Sequence, residues 1–317
     1  MNTINPMKKG LVLIADEMHL SLIPMLDEIG YLTDYQPSIS RNEMIDKLGN
    51  YVGLILRSKT FVDKELLTKA INLKFIGRAG AGLDLIDIDY VNSKGITLFA
   101  ANEGNRVAVA EHVIGMLLCL MNNILIADKE VRKGVWLREK NRGYELMGKT
   151  VGIIGYGNNG AETAKRLKAF GCKVLAYDKY LSDFSDEVVE ESSLERIFDE
   201  AEILSLHTPL TSITNKMVDK VFFSSFKNDI FFINASRGEI VVLADLCDAI
   251  ETGKVRGACL DVLENEKLQK LSDSQVNSLK KLSSSDRVIF TPHIAGWTYE
   301  SYIKINEVLV EKIAGLS

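Results

Sequence analysis

Two of the four histidines stand where open α/β sheets usually do their chemistry. His207 ends the apolar run EILSL and precedes Thr208 and Pro209, and His293 follows Thr291 and Pro292 after the run RVIF. Ligands bind such sheets beyond the carboxyl ends of the strands. Arg237 follows a third buried run, in FFINASRG, and Asp261 ends a fourth, in GACLDVLENE, with Glu266 five residues on. An arginine, a carboxylate and a histidine converging on one sheet edge form the set that hydride transfer on a 2-hydroxy acid requires. The arginine takes the substrate carboxylate in bidentate fashion. The histidine removes the hydroxyl proton as hydride leaves the carbon, and the glutamate orients the imidazole and raises its pKa. His207 is the alternative acid–base group. His19, near the start of the first helix, and His112, in a long apolar helix, read as structural.

The clearest signal is TVGIIGYGNNGAETAKRLKAFGCKVLAYD. An apolar strand runs into Gly155-x-Gly157-x-x-Gly160, a helix opens at once, and a second strand ends in Asp178. Gly155 makes the tight turn, Gly157 lets backbone approach a pyrophosphate, and Gly160 lets helix pack on strand. The helix N-terminus turns its free N–H groups toward the phosphates. Asp178 accepts hydrogen bonds from the ribose hydroxyls and repels a 2′-phosphate, so NAD rather than NADP is expected, although Lys179 follows directly.

A second glycine-rich loop, FIGRAGAGLD (75–84), lacks the GxGxxG spacing and a closing acid. It follows the strand LKFI as LRSK follows YVGLI, which sets Arg57 and Arg78 side by side, with Gly80, Ala81 and Gly82 offering backbone N–H groups. The expected occupant is a substrate anion. The loop N–H groups take its carboxylate opposite Arg237, and the two arginines take a phosphate at the far end.

The elements that must position these groups alternate along the whole chain. Short apolar runs at 11–15, 51–56, 73–77 and 96–100 are separated by the helical patterns LSLIPMLDEIG, RNEMIDKLG and VDKELLTKAI. A long helix is expected over 107–134. The alternation then restarts with strands at 149–157, 173–178, 202–208, 229–236, 255–262 and 287–293. That is two α/β units, each a parallel sheet covered by helices. The net charge of −5 argues against a nucleic-acid partner. The longest apolar run, VIGMLLCLM, is too short for a membrane span. Four scattered cysteines without a CxxC pair fit core thiols in a reducing cytoplasm. No metal site is expected.

These motifs, in this order, resemble the D-isomer-specific 2-hydroxyacid dehydrogenases, and within them the D-3-phosphoglycerate dehydrogenases. The segments LRSKT, FIGRAGAGLDLIDID, NEGNRVAVAEHVIGMLLCL, LHTPLT, NASRGEIV, GACLDVLENE and TPHIAG carry the likeness together with the nucleotide fingerprint. The resemblance implies two Rossmann-like doubly wound domains with the active site in a cleft between them. The substrate domain would be 1–102 with 298–317, the closing helix crossing back to it, and the NAD-binding domain 103–297. It implies catalytic roles for Arg237, Glu266 and His293. Cofactor contacts would come from Asn158, Asn159, Asp178, Thr208, Ala235 and Asp261, the last on the nicotinamide carboxamide, with His207, Pro209, Ser236 and Gly296 beside them. Ser58 and Asn102 join the expected substrate site, and Arg138 would reach the phosphate too, from the same or a partner subunit. A homodimer across the helix near Val107–Met121 is implied.

The expected reaction is NAD-dependent oxidation of D-3-phosphoglycerate, the entry to serine synthesis. A glyoxylate or hydroxypyruvate reductase remains open, as does an NAD-sensing binding protein like the C-terminal-binding-protein corepressors. Lys267 stands where the family usually has proline, NEGNR lacks a common proline, and the polar loop from Glu266 to His293 is long for the family. The sequence ends soon after His293, without room for a serine-sensing domain, so indifference to L-serine is expected.

Overall fold

The computed structural model describes residues 8–316; residues 1–7 and 317 of the expected substrate domain lie outside the described residues. The chain divides into two compact units. One runs up to Asn105 and resumes at Trp297, and the other is Arg106–Gly296.

The first unit comprises β1 (Gly10–Ile14), α1 (Leu22–Glu28), β2 (Tyr31–Tyr35), α2 (Arg41–Lys47), β3 (Gly53–Leu56), β4 (Phe75–Arg78), α3 (Ile88–Ser93) and β5 (Thr97–Ala100). Its sheet is parallel, in the order β2-β1-β3-β4-β5. Strands covered on both faces read as unbroken apolar runs, and β3, GLIL, is buried at every position. Alternate residues serve opposite faces. Leu13, Leu54 and Ile76 pack on one side of the sheet, and Val12, Ile14, Ile55 and Phe75 on the other. Leu56 pairs in register with Arg78, so Arg57 and Arg78 leave neighbouring strand ends.

The second unit comprises α4 (Arg106–Met121), α5 (Ile124–Val131), β6 (Thr150–Ile154), α6 (Asn158–Ala169), β7 (Lys173–Tyr177), β8 (Glu190–Glu191), α7 (Leu194–Glu200), β9 (Ile203–Leu206), α8 (Lys220–Ser224), β10 (Ile230–Asn234), α9 (Leu243–Glu251), β11 (Val255–Leu260), α10 (Asp273–Ser283) and β12 (Val288–Phe290). The strand order is β12-β11-β10-β9-β6-β7-β8. The chain steps from β6 to β7 in one direction and returns to the other side of β6 with β9. That reversal is the switch point at which doubly wound sheets open a crevice.

After β12 the chain re-enters the first unit as α11 (Tyr299–Ala314), started by a capping box between Thr298 and Ser301. Leu309 of α11 is fully buried. A Cβ built on Gly77 of β4 would lie 3.2 Å from its methyls, so a bare backbone at β4 lets the helix seat. Lys312 ties the helix to the Ala100 carbonyl at 2.7 Å and to Glu103 at 2.8 Å.

Several expectations need correction. The helix expected over 107–134 breaks between α4 and α5, where Asn123 adopts a left-handed φ of 53°. VDKELLTKAI forms successive turns rather than a helix; Val62 is held in a bridge to Ile86, and Leu66 and Leu67 are buried from turn geometry. YLTDY, unmarked by its polar residues, is the edge strand β2. The segment read as a polar loop after Glu266 contains α10, with its own Ser272–Gln275 capping box. His19 lies in the turn before α1, where its Nδ1 bonds the Ser21 hydroxyl at 2.9 Å. Val109, Val113, Ile114, Leu117, Leu120 and Met121 of α4 lie in the core of the second unit. Among the described residues no single helix is long and apolar enough to cross a membrane.

Truncating Leu309 to alanine should destabilise the first unit by about 2–5 kcal/mol, the usual cost of an emptied aliphatic core site. Urea unfolding followed by fluorescence should show this loss in one transition while the other keeps its midpoint. An unchanged curve would mean that α11 contributes nothing to that core.

Candidate active site

The nucleotide turn sits at the switch point of the second unit. Gly155 has φ +94°, and a Cβ there would lie 2.6 Å from the His207 carbonyl oxygen. At Gly160 a Cβ would strike the Gly155 carbonyl oxygen, whereas nothing lies within 4 Å of one at Gly157. Two of the glycines therefore let the turn and α6 close, and the third faces open space. The Asp178 carboxylate accepts from the backbone N–H of Tyr156 at 2.8 Å, and of Tyr180 and Leu181 at 2.8 and 3.1 Å. It is thereby held beside the glycine turn while Lys179 stays exposed. Around the same turn, Asn159 Oδ1 and Thr208 Oγ1 are buried with no hydrogen-bond partner among the described residues. Orphaned buried polar atoms beside a helix N-terminus and a carboxylate match the pyrophosphate and ribose diol of a dinucleotide. The residues present fit NAD. Asn158 opens α6. Pro209 offers its carbonyl to the Thr214 hydroxyl at 2.6 Å. Burial pushes the His207 imidazole down to about 4, and its Nε2 meets the Ser205 hydroxyl at 2.9 Å. A ring neutral at ordinary pH and engaged below the strand end is poorly placed as the acid–base group.

The reactive corner is assembled by the ends of β10, β11 and β12. Buried Asn234 accepts from Ser236 N–H and Oγ–H at 3.1 and 2.9 Å and donates to the Arg237 carbonyl, which shapes the ASRG turn after Ala235. Arg237 Nη1 donates to the Ser236 carbonyl at 2.8 Å. A Cβ on Gly238 would run into the Leu263 carbonyl, so glycine lets the loop bearing Glu266 cross closely over the arginine turn. Asp261 is 1% exposed. Its carboxylate accepts from the Thr291 hydroxyl at 2.5 Å and from the Ile294 and Ala295 N–H groups, each at 2.9 Å. His293 donates its own N–H to the Asp261 carbonyl at 2.7 Å and takes a φ of 56°. The imidazole Nδ1 then meets Glu266 at 2.9 Å. The sequence did not reveal that Asp261 anchors the histidine loop, nor the parts played by Thr291 and His112. His112 Nε2 bonds the Thr291 hydroxyl at 3.0 Å and lies 3.6 Å from Asp261. Its isolation within an apolar helix was the available signal.

In the first unit the glycine-rich loop differs from expectation. Arg78 turns back on its own loop, Nη1 donating to the Ala79 carbonyl at 2.6 Å, and its guanidinium fills the space a Cβ on Gly80 would need. The Gly80 N–H is spent on the Arg78 carbonyl at 2.9 Å. Arg57 lies over the Trp297 ring, 4.0 Å from its centroid. Ala81 and Gly82 are half-buried and Ser58 is exposed. Asn102 Oδ1 is buried without a partner. Arg138 of the second unit is exposed, and half-buried Gly296 is the last residue of that unit.

Residues 114–295 match the family profile described as D-isomer specific 2-hydroxyacid dehydrogenase, NAD binding domain. A D-3-phosphoglycerate dehydrogenase of Archaeoglobus fulgidus is 37% identical over 96% of this chain and 57% of its own length. The chain thus spans little more than half of that relative. A hydroxypyruvate reductase of Thermotoga maritima is 35% identical over 87% of this chain and 88% of its own. Among solved structures, a D-lactate dehydrogenase from Aquifex aeolicus complexed with NAD and lactic acid superposes with a TM-score of 0.80. It is 28% identical, covering 96% of this chain and 94% of that one.

The hydrogen bond that His293 donates to the Glu266 carboxylate is the largest influence on the imidazole and raises its pKa. Partial burial and the nearby Arg237 pull the other way, and Asp261 adds a smaller upward push. A histidine whose pKa is raised by folding gives its pair full stabilising effect below the unfolded value near 6.5. That effect is lost as pH rises through the folded value. An NMR titration of the His293 ring should place its midpoint above that of a free histidine. Glu266→Gln should move it downward. A midpoint that Glu266→Gln leaves in place would dissolve the pair.

Proposed function

The chain belongs to the D-isomer-specific 2-hydroxyacid dehydrogenases, and from that premise we propose that it oxidises D-3-phosphoglycerate to 3-phosphohydroxypyruvate with NAD, the first step of serine synthesis. The observation that carries the hydride-transfer part of this reading is the His293–Glu266 pair, 2.9 Å apart at a strand end beside Arg237. Bound NAD supplies the acceptor for the hydride on C2. Arg237 binds the substrate carboxylate and orients that carbon. Because His293 Nδ1 faces Glu266, Nε2 is the atom that takes the hydroxyl proton, and the glutamate stabilises the imidazolium that results. In the reverse direction the same nitrogen returns the proton. Arg57 and Arg78 take the phosphate, with the exposed Arg138 as a further cation.

Relatives named for phosphoglycerate oxidation support the substrate. A second reading, reduction of hydroxypyruvate, is favoured by the relative that this chain covers at 88% of its length. Both use the same residues at C2 and differ at the anion beyond it. A homodimer is proposed through exposed apolar side chains of the second unit, among them Val131, Val135, Leu137 and Met147. The cysteines are free, in keeping with a reducing compartment.

A substrate panel tests the assignment. Purified enzyme should turn over D-3-phosphoglycerate with higher kcat/KM than D-glycerate, D-lactate or glycolate, and a preference for D-glycerate would give the second reading precedence. Arg78→Gln should lower kcat/KM for phosphoglycerate about ten- to a hundredfold, the cost of one charge-assisted contact, and change the unphosphorylated acid far less. An equal fall for both would remove Arg78 from the phosphate.

The cofactor offers a separate test. With Asp178 held beside the glycine turn, where it would meet the ribose hydroxyls, NAD should exceed NADP in kcat/KM by about tenfold or more. Asp178→Ala should narrow the ratio. Equal values for the two cofactors in the unmodified enzyme would contradict the role.

A further inference from the structure

Arg57 is held in an unusual way. It leaves β3 with its backbone N–H donated to the buried Asp16 carboxylate at 2.5 Å, which fixes the direction of the strand end. Its guanidinium then lies over two rings from the far end of the sequence, 4.0 Å from the centroid of Trp297 and 5.3 Å from that of Tyr302. The rings are themselves placed. Tyr302 sits in the first turn of α11 and donates its hydroxyl to the Glu17 carbonyl at 3.0 Å. Trp297 lies just before the Thr298 cap, tilted 31° to Tyr302 at 5.6 Å. No ion pair joins Arg57 to a carboxylate among the described residues; its guanidinium reaches the Glu17 carbonyl at 3.4 Å and also interacts with the Tyr302 side chain.

A guanidinium covered on its face keeps its N–H edges in the plane, where they match two oxygens of an oxyanion. Trp297 is 58% exposed, so burial of the indole in a core does not account for its place. We propose that Trp297 and Tyr302 are positioning residues that clamp Arg57 as a pre-oriented oxyanion fork, and that this clamp sets the preference for a substrate with a second anionic group. The inference deepens the phosphorylated-substrate reading and rests on it for the identity of that group. A free arginine must lose its rotamer freedom when the anion arrives, and a stacked one has already done so. The rings therefore act on binding of the distal anion and leave proton transfer at His293 alone.

Two measurements separate the clamp from the substrate assignment. The chain has two tryptophans, so a Trp136→Phe background leaves Trp297 as the only indole reporter. Titration with inorganic phosphate should change its emission saturably, and Arg57→Gln should abolish the response. In kinetics, Trp297→Ala should raise KM for phosphoglycerate about three- to tenfold, the reach of one cation–π contact, with kcat and the KM for D-glycerate nearly unchanged. Trp297→Phe should restore most of the loss, and Trp297→Leu should not. A phosphate response with no turnover of phosphoglycerate would keep the clamp and overturn the substrate. Turnover of phosphoglycerate with no phosphate response, or with equal rescue by leucine and phenylalanine, would overturn the clamp.

Discussion

The buried carboxylate of Asp261 is the constraint from which the reactive corner follows. A charge that is 1% exposed is tolerated only when its oxygens are occupied, and here a hydroxyl and two backbone N–H groups occupy them. Those donors all come from the chain leaving β12. Satisfying the carboxylate therefore wraps that chain around the end of β11 and forces the turn at His293, with its φ of 56°. Hydrogen bonds to a charged group contribute about 1.5–3 kcal/mol each, enough to hold one residue in a left-handed conformation. The imidazole is carried by that turn to Glu266, on the loop that leaves the same strand.

Close backbone approach is the second condition. The crossing of the Glu264 region over the Arg237 turn is possible only because residue 238 has no side chain, and the same device closes the nucleotide turn at Gly155 and Gly160. The two devices lie at carboxyl ends of one sheet, whose order reverses at β6. The His293–Glu266 pair, Arg237 and the glycine turn are thus placed by the strand ends of a single parallel sheet. The sheet of the first unit brings β3 and β4 together in register, which puts two arginines at adjacent strand ends, one over the Trp297 ring and one bonded to its own loop.

Much of this was legible in advance because apolar period and glycine spacing are local signals. Each apolar run expected as a strand became one, and the GxGxxG motif opened α6 as expected. The misses share a cause. In 62–71 the helical spacing of Val62, Leu66 and Leu67 survives as burial, but the Val62–Ile86 bridge holds the backbone in turns. At β2 the strand is paid for by pairing with β1 rather than by its own apolar content. The polar stretch after Glu266 folds as α10 on a capping box and on the contact of Leu282 with the core, which a reading by composition overlooks.

The sequence by itself determined the fold class, the cofactor turn and the chemical identity of the reactive groups, since each depends on residues near one another in the chain. Only the tertiary structure decided their partners. Asp261 as the anchor of the histidine loop, His112 on Thr291, Arg78 folded back over its own loop and Arg57 stacked on Trp297 all depend on which strand ends and helix starts become neighbours. Hydrogen bonds and ring contacts act over a few ångströms. Arg57 and Trp297 come within that range because α11 returns to the first sheet and packs Leu309 against Gly77, a closure that no local stretch of the chain encodes.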